Sequence, residues 1–104
     1  MDKKGSKPKI LVVDDDPDMR IFFSALLKTG GFKPIVARYG TEGMEKARTQ
    51  KPVFIIIDVP MPENGGMQMY RFLKQDETLS HIPVIMVSTI DKQTFIQYQK
   101  TKGI

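Results

Sequence analysis

Short apolar runs rich in β-branched residues alternate along the chain with longer segments whose apolar positions recur every three or four residues. Lys9–Val13 is the first run, apolar enough for a strand buried on both faces. It stops at Asp14-Asp15-Asp16, and Pro17 opens a helix with Asp16 as its expected N-cap and Asp18 near the positive helix end. Met19, Phe22, Phe23, Leu26 and Leu27 fall on one stripe of that helix, and Gly30-Gly31 ends it. Phe32–Ala37 reads as a second strand, and Pro34 assigns it to a sheet edge, because proline donates nothing to a ladder. Thr41–Gln50 follows as a helix with Met44 and Ala47 inward, weakened by Gly43. Val53–Ile57 is the central strand and runs into Asp58. After the loop Val59–Gly66, Met67–Lys74 is helical, with Met67, Tyr70, Leu73 and Met69 as packing residues. Pro83 introduces the strand Val84–Val87, which ends at Ser88-Thr89. Asp91 caps a last helix that reaches Lys102 and stops at Gly103.

This order predicts four βα units and a parallel sheet. All strands of such a sheet end on one edge, where ligands bind. Asp14-Asp15, Asp58 and Ser88-Thr89 each follow a strand, so residues far apart in sequence are expected to converge. Clustered carboxylates repel, and burial raises the cost of keeping them charged. A divalent cation with oxygen ligands resolves the conflict, and magnesium suits a site of one or two carboxylates completed by water and phosphate. No His or Cys stands near these positions to favour zinc or copper. A carboxylate is also a nucleophile able to accept a phosphoryl group as an acyl phosphate. The Ser88 hydroxyl is a candidate donor to a phosphoryl oxygen.

Three stretches carry a specific resemblance. Leu11-Val12-Val13-Asp14-Asp15-Asp16-Pro17, Ile55-Ile56-Ile57-Asp58-Val59-Pro60-Met61-Pro62 with Gly66, and Ile82-Pro83-Val84-Ile85-Met86-Val87-Ser88 resemble bacterial two-component response-regulator receiver domains. Ala37-Arg38-Tyr39-Gly40 fits the same pattern, and the resemblance spans residues 9–104 behind a flexible basic lead-in, residues 1–8. It implies a flavodoxin-like (CheY-like) doubly wound sheet of strand order 2-1-3-4, which the edge placement of Pro34 supports independently. By the same resemblance, Asp58 is the phosphoacceptor, charged by a sensor histidine kinase or phosphotransfer protein and switching a downstream output partner. Asp15 resembles the direct ligand of Mg2+ (or Mn2+), and Asp14 the partner acting largely through water. Asp58 and the Pro60 carbonyl complete the metal set. Ser88 resembles the hydroxyl that follows the phosphoryl group, and Thr89 the residue that controls access to it. Chemistry beyond self-catalysed phosphorylation and dephosphorylation of Asp58 is not implied.

The sequence departs from the family at its end. A fifth strand with its lysine and a fifth helix are absent; Phe95–Gly103 matches the fourth helix, and none of Lys92, Lys100 and Lys102 fits the lysine's place. One expectation is a longer native chain, by roughly 15–25 residues at ordinary element lengths. The other is an apolar Val84–Val87 edge satisfied by dimerisation or segment exchange. The missing lysine also favours a pseudo-receiver, an interaction module of the same fold that is not phosphorylated; the intact acidic pair and Asp58 oppose it. An aspartyl phosphohydrolase would need a second carboxylate two residues after the nucleophile, and Pro60 stands there.

Composition narrows the remaining classes. With 104 residues the chain forms one domain, and the absence of cysteine excludes disulfides, thiolate catalysis and thiolate zinc sites. No run approaches the roughly 18 apolar residues of a membrane span, and the polar N-terminus lacks a signal-peptide pattern. A cytoplasmic location is expected. Lys3, Lys4, Lys7 and Lys9 supply much of the net charge of +4. No basic-aromatic patch or zinc-finger pattern accompanies them, which argues against direct nucleic-acid binding.

Overall fold

Each apolar run forms a strand and each amphipathic segment a helix. The computed structural model describes residues 6–61 and 65–88, with positions 93, 94, 96, 97, 100 and 101. In chain order the elements are β1 (Lys9–Val13), α1 (Pro17–Thr29), β2 (Lys33–Ala37), α2 (Gly40–Gln50), β3 (Phe54–Asp58), α3 (Gly65–Gln75) and β4 (Val84–Val87). The six described positions of the expected last helix are helical. Its Asp91 cap, its Gly103 stop, Thr89 and residues 1–5 of the lead-in lie outside the described residues.

The strands form one parallel sheet in the order β2-β1-β3-β4, as expected. Pro34 lies on edge strand β2 opposite Ile10, so its missing N–H interrupts no central ladder. From β1 the chain crosses to β2 on one side, then to β3 and β4 on the other. Right-handed crossovers therefore put α1 on one face and α2 and α3 on the opposite face. The reversal leaves a crevice between the ends of β1 and β3.

Strand alternation divides the apolar residues between these faces. Leu11, Val13, Ile55 and Ile57 are fully buried in one cluster with Met44 and Ala47 of α2 and Met69 and Leu73 of α3. Leu79 and Ile82, from the turn before β4, close the base of that cluster. Of the two methionines of α3 expected to pack, Met69 is buried and Met67 only half-buried. On the other face α1 covers β1 and β2. Of its stripe Met19 is buried, Phe22, Phe23 and Leu27 are half-buried, and Leu26 is 42% exposed. A helix over two strands of four cannot bury the whole stripe. On the same face Ile85 of β4, paired with Ile56, is 49% exposed, because α1 lies over β1 and β2.

Local chemistry explains the element ends. Asp16 caps α1 by accepting the Asp18 N–H at 2.9 Å, with Pro17 in the first turn. Gly31, at φ +88°, turns the chain out of α1, a conformation that costs glycine little. Lys51 caps α2 in the left-handed region at φ 53°, where its N–H reaches Ala47 O. Gly43 weakens α2 intrinsically but permits its packing: a Cβ there would stand 2.9 Å from Met69 Sδ and from Val13 Cγ2.

Candidate functional site

Register builds the site. Val13 pairs with Ile57 across β1 and β3, so Asp14 and Asp58, the next residue of each strand line, emerge side by side. Both are 2% exposed, whereas Asp15 is half-exposed at the rim. One carboxylate oxygen each from Asp14, Asp15 and Asp58 lies within 4.8 Å of the other two. The three carboxylates expected to converge do so.

The Asp14 loop is held from three sides. The Asp14 N–H donates to Ala37 O at 3.1 Å, its Oδ1 accepts the Asp16 N–H at 3.0 Å, and its carbonyl accepts Arg20 Nη1 at 2.8 Å. Sequence reading missed Arg20. The available signal was a lone cation one turn into the helix that follows an acidic run. On the β3 side the Val59 N–H donates to Val87 O and the Met61 N–H to Val59 O, each at 2.9 Å, and Met61 is buried. Gly66 underlies this turn. A Cβ at Gly66 would overlap Asp58 O and approach Val59 Cα and O to 3.0 Å.

The remaining positions divide. Asp58 pairs with Val87, so half-buried Ser88 follows one residue beyond on the same edge, and both Asp58 and Ser88 are engaged in further interactions. Pro60 is exposed in the turn after β3. Thr89 lies outside the described residues.

Three hard oxygen donors of like charge, two of them buried, suit a divalent cation of the magnesium or manganese type. Unit charges about 4 Å apart repel by several kcal/mol at protein-like dielectric, so a cation lowers the energy of keeping all three ionised.

The family model of the response regulator receiver domain matches residues 10–103. The chain belongs to the response-regulator receiver family. Protein PilH of Pseudomonas aeruginosa is 37% identical to this receiver over 95 residues, covering 91% of the chain and 78% of PilH. The polar-differentiation response regulator DivK of Brucella ovis is 36% identical over 83 residues, covering 80% of the receiver and 67% of DivK. Among solved structures, chemotaxis response regulator CheY4 of Vibrio cholerae superposes with a TM-score of 0.76 at 27% identity, covering 92% of the receiver and 80% of CheY4. The N-terminal domain of a response regulator receiver protein from Methanoculleus marisnigri gives 0.74 at 30% identity, over 89% and 80% of the two chains. The strand order and parallel sheet of the receiver are those of this CheY-like fold. No described helix of the receiver is long and apolar enough to cross a membrane.

A second polar group, missed in the sequence, anchors the β2–α2 turn beside the site. Glu42 Oε1 accepts the Arg38 N–H at 2.8 Å and Oε2 lies 3.2 Å from Lys46 Nζ, which donates to Val36 O at 2.6 Å. The Arg38 N–H above all holds the Glu42 carboxyl below its ordinary 4.5; burial opposes it, and the Lys46 ammonium adds to the lowering. A lowered folded-state pKa stabilises above the unfolded value and loses that contribution as pH falls through the folded one. Glu42→Gln should therefore cost up to about 1 kcal/mol at pH 7. The difference should shrink as pH drops below 4.5, in denaturant titrations at several pH values.

Proposed function

We propose that residues 9–104 act as one phosphoacceptor receiver unit behind a basic lead-in, with Asp58 as the acceptor and Asp14, Asp15, Asp58 and the Pro60 carbonyl as the Mg2+ (or Mn2+) site. The observation that carries this reading is the convergence of one oxygen from each of the three carboxylates within 4.8 Å, at the end of the central strands. A carboxylate oxygen of Asp58 attacks the phosphorus of the donor. The bond from phosphorus to the donor's leaving atom breaks, and its electron pair departs with that atom. When bound, the cation supplies charge compensation for the phosphoryl oxygens. Ser88 donates its hydroxyl to one of those oxygens, and Thr89 keeps the approach open. Arg20 fixes the Asp14 backbone from α1 without entering the reaction.

The donor in this reading is a sensor histidine kinase or a phosphotransfer protein, the acylphosphate is the signal, and the compartment is the cytoplasm. The relative DivK is itself a response regulator, which supports a signalling role here. Incubation with acetyl phosphate tests the proposal against an interaction-only module of the same fold. Phosphoryl incorporation should require Mg2+, disappear with a chelator, and fall to background in Asp58→Asn. A folded protein that neither binds Mg2+ nor incorporates phosphate would establish the interaction-only reading instead.

A further inference from the structure

At the opposite edge of the sheet, where the strands begin, a cleft of about 730 Å3 opens between the end of α2 and the turn before β4. Its floor is apolar: Ala47, Leu79 and Ile82 are buried, and Val53, 53% exposed, forms a wall. Arg48, Lys51 and His81 also line it, and among the described residues no acidic one does. The volume falls within the several hundred Å3 typical of small-molecule sites, and an apolar floor with a few polar groups is their usual make-up.

Two features fix the charged side. Lys51 is held at the left-handed cap of α2, where the chain turns toward β3. Arg48 Nε lies 4.0 Å from Asp76 Oδ2, beyond hydrogen-bond distance, so this ion pair leaves the guanidinium N–H groups available to another acceptor. Asp76 is occupied in turn by Thr78, whose N–H and Oγ1 donate to Oδ1 at 2.8 and 2.6 Å. These bonds keep Asp76 ionised, but its 4.0 Å separation from Arg48 and its place outside the lining leave the guanidinium only partly offset. The negative end of α2 opposes an anion here, but by the few tenths to 1 kcal/mol or so of a helix terminus, less than two cations supply.

We propose that this cleft binds a small amphiphilic anion: an aromatic or short alkyl body on Ala47, Leu79, Ile82 and Val53, with one carboxylate, sulfonate or phosphate held by Arg48 and Lys51 and hydrogen-bonded by His81. Five-residue β3 separates the cleft from Asp58 by about 13 Å of extended chain, so ligand and phosphoryl group occupy opposite ends of one strand.

Anilinonaphthalene sulfonate, an aromatic body with one sulfonate, is a direct probe for the full chain. Its fluorescence should rise with saturable one-to-one binding, and the Ala47, Lys51 and Leu79 amide resonances should shift together. Arg48→Gln with Lys51→Gln should weaken binding at least about tenfold, as should exchanging the dye for uncharged phenylnaphthylamine. Phe72→Ser, in the groove between α2 and α3 that shares only Arg48 with this cleft, should change nothing. Equal binding of the uncharged dye, or undiminished binding by a folded double variant, would overturn the proposal. If the double variant does not fold, the resonances decide: shifts elsewhere, or none at these amides, overturn it as well.

Discussion

Asp15→Asn is expected to leave the metal-free protein as stable as the native chain or slightly more so, while weakening Mg2+ binding about a hundredfold. The sign of the first effect follows from the division of labour in the loop. Asp14 Oδ1 accepts the Asp16 N–H and Asp16 Oδ1 accepts the Asp18 N–H, so these two side chains carry the turn and the cap. The Asp15 carboxylate makes no such bond among the described residues; it contributes negative charge beside Asp14 and Asp58. Removing it relieves repulsion without leaving a backbone donor unsatisfied. The second effect follows from Coulomb's law. A unit pair 4 Å apart at an effective dielectric of 20 is worth about 4 kcal/mol; half-exposure reduces that, and about 3 kcal/mol corresponds to a factor of roughly a hundred. Calorimetric Mg2+ titration and melting curves with and without the ion read both effects. A variant destabilised without metal, yet binding Mg2+ normally, would make Asp15 a structural turn residue.

Gly66→Ala is expected to reverse the usual helix trend. In an open helical position alanine in place of glycine stabilises by about 1 kcal/mol. Here the added methyl meets Asp58 O and the Val59 backbone, which cannot swing aside as a side chain can. Overpacking against a rigid wall costs about 1–3 kcal/mol and sometimes more, so we expect a net loss near 2 kcal/mol. Relief of the overlap must move α3 or the Asp58–Pro60 turn, and either displaces the proposed acceptor and metal carbonyl. Mg2+ response and phosphoryl incorporation should then fall further than the stability loss explains. Gly43→Ala is the control: its neighbours are the side chains of Met69 and Val13, and Met69 is flexible enough to yield. Its cost should be the smaller. Equal melting temperatures for Gly66→Ala and the native chain would refute the close approach at Gly66.

These positions show how far the sequence was legible. The apolar runs at Ile10–Val13 and Val84–Val87 and the proline at position 34 place strands and an edge, because each expresses a local rule about burial or missing donors. Three strand ends carrying Asp or Ser point to one edge, because parallel topology leaves no other arrangement. What depends on neighbours was not readable. Asp14 and Asp15 look alike in sequence, yet only the first is buried beside Asp58, since strand register chooses between them. Arg20, Glu42 and Lys46 hold backbone groups brought near by tertiary structure, and Met69 takes the inward place on α3 through its contact beneath Gly43. Gly66 was recognisable as part of a pattern, but its reason is a helix resting on the Asp58 carbonyl.

In the proposed reading the carboxylate cluster directs phosphoryl transfer to one side chain. Peptide mapping by mass spectrometry, after brief treatment of the full chain with acetyl phosphate, tests it most directly. A single phosphoryl group on Asp58 is expected with Mg2+ and none with a chelator; a phosphoryl group on Asp14 or Asp15, or on Asp58 regardless of metal, would overturn the assignment.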